Sequence, residues 1–207
     1  MKIISYVAIF TLLFTVIAFT QDDNKPELSI GGGLSLPSKP EIFSDYWKMG
    51  FNFGGGFAFP FTPSLSFITI VDYSRFAFDE EKLLENFGFL GYGIEIKVGS
   101  ASIVTVTENL KASFNPGSNA ISPYFIGGMG LFSVSTSEVK VSVPSYGISE
   151  TIKGQSESAF ALQFGFGIDI PTDETTKIFI ECKYCIGFTE EESTHFFPIR
   201  AGASFKL

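Results

Sequence analysis

A chain of 207 residues with 22 acidic and 14 basic side chains, net charge −8, has no basic face to offer nucleic acid. Charged residues make up 17% of it, against roughly 25% in ordinary soluble domains, and Phe occurs 25 times. The length suits one all-β domain, and the sparse charge and abundant rings suit a protein partly dissolved in lipid.

The chain opens with Lys2, then an uncharged apolar run from Ile3 to Phe19, then Gln21-Asp22-Asp23. A basic start, an apolar stretch and small residues at its end predict a cleaved secretory leader over residues 1–20. Cleavage after Ala18 or after Thr20 would both suit, and a permanent anchor helix is the alternative, since the run sits at the bottom of the roughly 17–25 residues that span a bilayer. No Cys lies near the junction, which argues against a lipid-anchored lipoprotein. Residues 21–207 are then one domain, one charge unit more negative than the whole chain because Lys2 leaves.

A first strand is expected over 28–36 and a second over 47–59. In the second, Trp47, Met49, Phe51, Phe53, Phe57 and Phe59 share one face, while Lys48, Gly50, Asn52, Gly54, Gly56 and Ala58 share the other. So many rings would crowd a soluble barrel's interior; a membrane barrel turns them outward into lipid and keeps the polar face within. The uncharged stretch from Met49 to Val71 contains Gly50, Gly54, Gly55, Gly56, Pro60 and Pro63 at period two, so it is no membrane helix. It predicts two strands with a tight turn near Phe61-Thr62, the second strand running over 64–77.

Within 78–100, Asp79, Glu80, Glu81, Leu83, Leu84 and Gly88 carry helix start and stop signals. Tyr92, Ile94, Ile96 and Val98 alternate with Gly93, Glu95 and Lys97 and predict an extension of the wall above the membrane; read as a membrane strand, they would move the count towards ten. Further strands are expected over 101–114, 121–136, 158–170, 176–188 and 196–207. Connections 60–63, 115–120 and 171–175 are short, and 37–46, 78–100, 137–157 and 189–195 mostly longer. That alternation predicts an eight-stranded antiparallel up-and-down transmembrane β-barrel with short periplasmic turns and longer extracellular loops.

Cys182 and Cys185 form a C-x-x-C, yet residues three apart in a strand point oppositely, about 10 Å apart at Cα and beyond disulfide reach. They read as small apolar residues. In the last loop, Ser193 and His195 beside Glu190-Glu191-Glu192 lack a nucleophile motif, and the Glu run reads as a solvated tip rather than a cation site. The ending places Phe197, Ile199, Ala201, Ala203, Phe205 and Leu207 against Pro198, Arg200, Gly202, Ser204 and Lys206.

Leader, Gly- and Phe-rich alternating strands, Ser122-Pro-Tyr-Phe-Ile-Gly-Gly-Met-Gly-Leu131, Ile178-Phe-Ile-Glu-Cys-Lys-Tyr184 and Phe197-Pro-Ile-Arg-Ala-Gly-Ala-Ser-Phe205 together resemble the outer-membrane-protein β-barrel domain family. These are the small eight-stranded barrels of Gram-negative-type envelopes, and the resemblance covers nearly the whole mature chain. It implies residence in the bacterial cell outer membrane, contact with outer-membrane lipid, insertion by the barrel insertion machinery and action as a monomer. Such chains usually end in an aromatic residue; here Lys206 and Leu207 follow Phe205.

The inward set is expected to be Lys48, Asn52, Asp72, Lys111, Gln163, Asp169, Glu181, Lys183 and Arg200. In a lumen just wide enough for side chains, mixed charges should pair and plug the pore, Glu181 with Arg200 on neighbouring strands first among them. The lipid-facing set is expected to be Trp47, Met49, Phe51, Phe53, Phe57, Phe59, Phe197, Ile199, Phe205 and Leu207. The expectation is a non-enzymatic, structural envelope protein without cofactor or metal; the alternatives are a narrow pore for small solutes and a surface adhesin whose loops meet an extracellular partner of unknown identity.

Overall fold

The computed structural model describes residues 25–88, 95–114, 120–144 and 148–207. The expected leader over 1–20 lies outside the described residues, as do Tyr92 and Ile94. Eight long strands follow the hydrophobic alternation: β1 (Glu27–Lys39), β2 (Gly50–Thr62), β3 (Leu65–Ala77), β5 (Ser100–Ser113), β6 (Ser122–Thr136), β9 (Ser156–Pro171), β10 (Thr176–Gly187) and β11 (Thr194–Lys206). They close in chain order, β11 pairing back onto β1, and every pair is antiparallel. Closure leaves no free edge on the barrel wall.

Between them lie β4 (Glu95–Val98), β7 (Val139–Val143) and β8 (Ile148–Ile152), which form a separate three-stranded sheet in the order β4-β7-β8. The alternation ending at Val98 therefore adds no strand to the barrel, whose count is eight. The hairpin β7–β8 lies inside what the sequence presented as loop 137–157.

Two short helices sit at the loop end. α1 (Glu41–Tyr46) follows Pro40, whose carbonyl accepts from Phe43 and Ser44 N–H at 2.9 and 3.0 Å. α2 (Glu80–Asn86) has the expected signals: Asp79 Oδ1 accepts from Lys82 N–H at 3.3 Å, and Gly88 ends it at φ +70, where a Cβ would be strained.

Exterior positions are apolar around the wall, with Ile30, Phe53, Phe125, Met129, Phe164, Phe166 and Ile180 all exposed. Polar pairs interrupt the band: Thr69 Oγ1 donates to Glu108 Oε2 at 2.8 Å, in phase with Leu110, and Tyr73 Oη meets Ser102 Oγ at 3.0 Å. Interior positions hold the buried polar residues. This polarity is the reverse of a soluble ligand-binding barrel.

Several expectations are corrected. β2 begins at Gly50 rather than at 47, so the alternation does not reach Trp47 and Lys48. Trp47 bridges Phe78 and packs edge-on against its ring at 5.2 Å, half-buried beside Phe43 at the rim rather than facing lipid. Lys48 is also outside the lumen: its side chain is 52% exposed, with Nζ 3.5 Å from Asp79. Phe59 has the outward phase but is only 8% exposed, its ring packed on Phe57 at 4.7 Å. The first tight turn falls two residues later, at Pro63-Ser64, where Thr62 Oγ1 accepts from Ser64 and Leu65 N–H at 3.3 and 3.0 Å. His195 is in β11, not in a loop.

Candidate functional site: a tiered lumen

Period two sends alternate side chains inward from every wall strand, and these stack in three tiers. At the loop end the tier is apolar. Phe76, Ala101, Ile103, Phe132, Ala161, Cys185 and Phe196 are buried there together, and Phe43 of α1 closes over them, its ring edge-on to Phe76 at 5.0 Å. Gly187 makes room for this cluster, since a Cβ there would lie 2.5 Å from the Phe132 ring. The expected polar lumen thus fails in its outer part. Phe76 and Phe196 share the phase of Asp72 and Arg200, so the same inward alternation delivers rings at the loop end and charges below.

The middle tier is ionic. Glu181 and Arg200 stand opposite each other in the β10–β11 register, and Arg200 Nε donates to Glu181 Oε1 at 2.9 Å. Arg200 Nη1 also donates to Asp72 Oδ1, and Lys183 Nζ donates to Asp72 Oδ2 at 2.6 Å while lying 3.6 Å from Glu181 Oε1. Tyr124 Oη donates to Glu181 Oε2 at 3.0 Å. Two carboxylates and two cations therefore cancel, with hydrogen bonds on both oxygens of each carboxylate. Beside them Gln163 Nε2 donates to Thr107 Oγ1 and Asn109 Oδ1, each at 2.7 Å, and Cys185 Sγ reaches Gln163 Oε1 at 3.4 Å. Asn52 Nδ2 donates to Leu34 O at 2.6 Å and Ser35 Oγ at 3.1 Å. Apolar and ionic tiers together obstruct the bore.

The third tier opens at the turn end. A cavity of about 680 Å³ runs from Arg200 and Glu181 down to Pro63, Asp173 and Glu174 in the turns. Lys111 and Asp169 pair across it at 2.6 Å, with Lys111 Nζ also 3.8 Å from the centroid of the Tyr124 ring. Lys177 and Glu27 pair at 2.7 Å near the lip.

Of the expected inward set, the structure places Asn52, Asp72, Lys111, Gln163, Asp169, Glu181, Lys183 and Arg200 on the interior, and Lys48 outside it. It adds Tyr124, Thr107, Asn109, Ser35 and Ser74. Thr107 and Asn109 share the phase of Lys111, and Tyr124 shares that of Ser122 and Ile126, so alternation carries all three inward. Of the expected lipid-facing set, Met49, Phe51, Phe53, Phe197, Ile199, Phe205 and Leu207 are exposed and Phe57 half-buried.

Elsewhere, Tyr184 Oη meets His195 Nδ1 on the outer wall, with Phe164 and Phe197 rings at 5.5 and 4.6 Å from Tyr184. Cys185 is buried inside and Cys182 has the opposite phase; neither forms a disulfide. Among the described residues no three His, Cys, Asp or Glu side chains converge as metal ligands.

No family model and no curated protein matches the sequence. Solved structures do match in fold. Neisserial surface protein A is 13% identical, with 88% of this chain and 97% of that one aligned at a TM-score of 0.60. The N-terminal β-barrel domain of OprF from Pseudomonas aeruginosa is 11% identical, with 90% and 100% aligned at 0.52. Ail, the attachment invasion locus protein of Yersinia pestis, is 17% identical, with 89% and 100% aligned at 0.50. The chain has the fold of these small eight-stranded outer-membrane barrels.

Proposed function

We propose that this chain is an integral protein of the bacterial outer membrane, exported by a cleaved leader over residues 1–20, with a structural rather than enzymatic role. The observation that carries the reading is the inverted polarity: an apolar belt outside, including Phe53, Phe125 and Phe166, and a compensated ion cluster inside. Such a surface is stable only against lipid, and such a lumen does not conduct freely. On this reading the short turns face the periplasm, and the α1, α2 and β4-β7-β8 end faces outward. The chain acts as a monomer.

The test is cell fractionation combined with bilayer recording. The protein should sediment with the outer membrane, migrate differently in detergent gels before and after boiling, and show no steady open conductance in planar bilayers. Recovery as a detergent-free soluble protein would contradict the membrane assignment; a large stable conductance would favour the small-solute pore.

A second reading adds to the first. The sheet β4-β7-β8 stands apart from the barrel closure, with Ser149, Glu150, Thr151 and Ile152 exposed along β8. Its presence favours a role in meeting an extracellular partner. Deleting 139–152 should leave barrel folding intact and abolish any cell or matrix adhesion that the whole protein confers.

A further inference from the structure

The turn-end cavity has apolar and polar lining side by side. Ala58, Ile68, Ile70, Tyr124 and Ile126 form a buried apolar cluster along one side. Next to it, on the same strand as Tyr124 and Ile126, Ser122 is the cross-strand partner of Asp169 in the β6–β9 register, and both line the cavity. They are 8% and 4% exposed, and Ser122 Oγ and Asp169 Oδ1 have no hydrogen-bond partner. Two adjacent buried polar atoms left unpaired are uncommon and costly, and here both border space large enough for a small molecule. Every other polar group singled out in the interior is paired, which isolates this position.

We infer that the cavity is a binding site for a small neutral solute that joins an apolar body to an N–H or O–H donor, entering from the turn end. The donor satisfies Asp169 Oδ1 and exchanges a hydrogen bond with Ser122 Oγ; the apolar body covers Ile68, Ile70 and Ile126. Neutrality follows from Lys111. Its Nζ lies 2.6 Å from Asp169 Oδ2 and already cancels the carboxylate charge, so a second ammonium at Oδ1 would meet a like charge a few ångströms away. The register of β6 on β9 is what sets Ser122 beside Asp169. This inference goes beyond the structural role and does not require the chain to conduct.

The probe is 3-methylbutanamide, which has an amide donor and a branched apolar body. It is titrated into the folded mature chain in lipid nanodiscs and followed by backbone amide shifts. Saturable shifts centred on Ser122, Asp169 and Ile126 are expected at millimolar concentrations, as befits so small a ligand. N,N-Dimethyl-3-methylbutanamide, with no N–H, should bind roughly tenfold more weakly, the usual scale of a lost hydrogen bond in a buried site. Ser122→Ala should weaken the amide several-fold without lowering the unfolding midpoint, because that hydroxyl holds nothing in the fold. Ala58→Phe, filling the apolar side, should abolish binding. Equal binding of the two amides, tighter binding of 3-methylbutylammonium, or no saturation with the barrel folded would each overturn the site. The last result would mean that the pair serves water alone, and it would leave the membrane reading standing.

Discussion

Arg200 holds two carboxylates with one guanidinium, Asp72 through Nη1 and Glu181 through Nε. Removing either member of such a cluster leaves a buried charge uncompensated. Glu181→Ala and Arg200→Ala should each cost about 3–5 kcal/mol in denaturant unfolding, and the double variant clearly less than their sum. Additive losses would show the two residues to be independent. On the wall, Phe53→Arg places a charge in the apolar belt at a cost of roughly 2–4 kcal/mol. Asn52→Ser, one residue along, forfeits the Nδ2 bonds to Leu34 O and Ser35 Oγ and should cost about 1–2 kcal/mol. Equal costs would mean the two faces are misassigned. Residue phase was legible because period two is strict within a strand. It failed at Trp47 and Lys48, where the strand had not yet begun, and phase alone does not tell that inward positions at the loop end, such as Phe76 and Phe132, carry rings rather than charges.

The barrel strands could be placed to within a few residues, since alternation, Gly and Pro all agreed. α2 was legible from Asp79 and Gly88, but α1 was not: with six residues it has no periodicity, and its place depends on Phe43 meeting Phe76 across the rim. Phe43→Ala should therefore destabilise the barrel by roughly 3 kcal/mol, near the lower end for a buried ring. The bore should remain non-conducting, because the ionic tier lies below. A steady conductance in this variant would show that α1 alone closes the lumen. The 171–176 turn has its own signature. Thr175 backbone N–H and hydroxyl, then Thr176 N–H, hold the Asp173 carboxyl below its ordinary 3.8. A depressed folded value stabilises the turn above pH 3.8 and loses that support as pH falls through the lowered value. Amide exchange at Thr175 and Thr176 should therefore quicken relative to the strands only in that acid range; quickening near neutrality would point to another group.

At the scale of the molecule, eight strands closing in chain order turn one sequence rule into two opposed surfaces, apolar without and ionic within. Architecture was readable because loop lengths alternate. The tiering of the interior was not, because it depends on which inward residues meet across strands far apart in sequence, such as Lys183 with Asp72. The central claim is that the aromatic face is solvated by lipid. Tryptophan substituted for Phe53 or Phe125, with Trp47→Phe to remove the native fluorophore, can be read in bilayers whose acyl chains carry bromine. Strong quenching of Phe53→Trp and Phe125→Trp, with blue-shifted emission, is the predicted result. Unquenched, water-like emission at both positions in the folded barrel would contradict it.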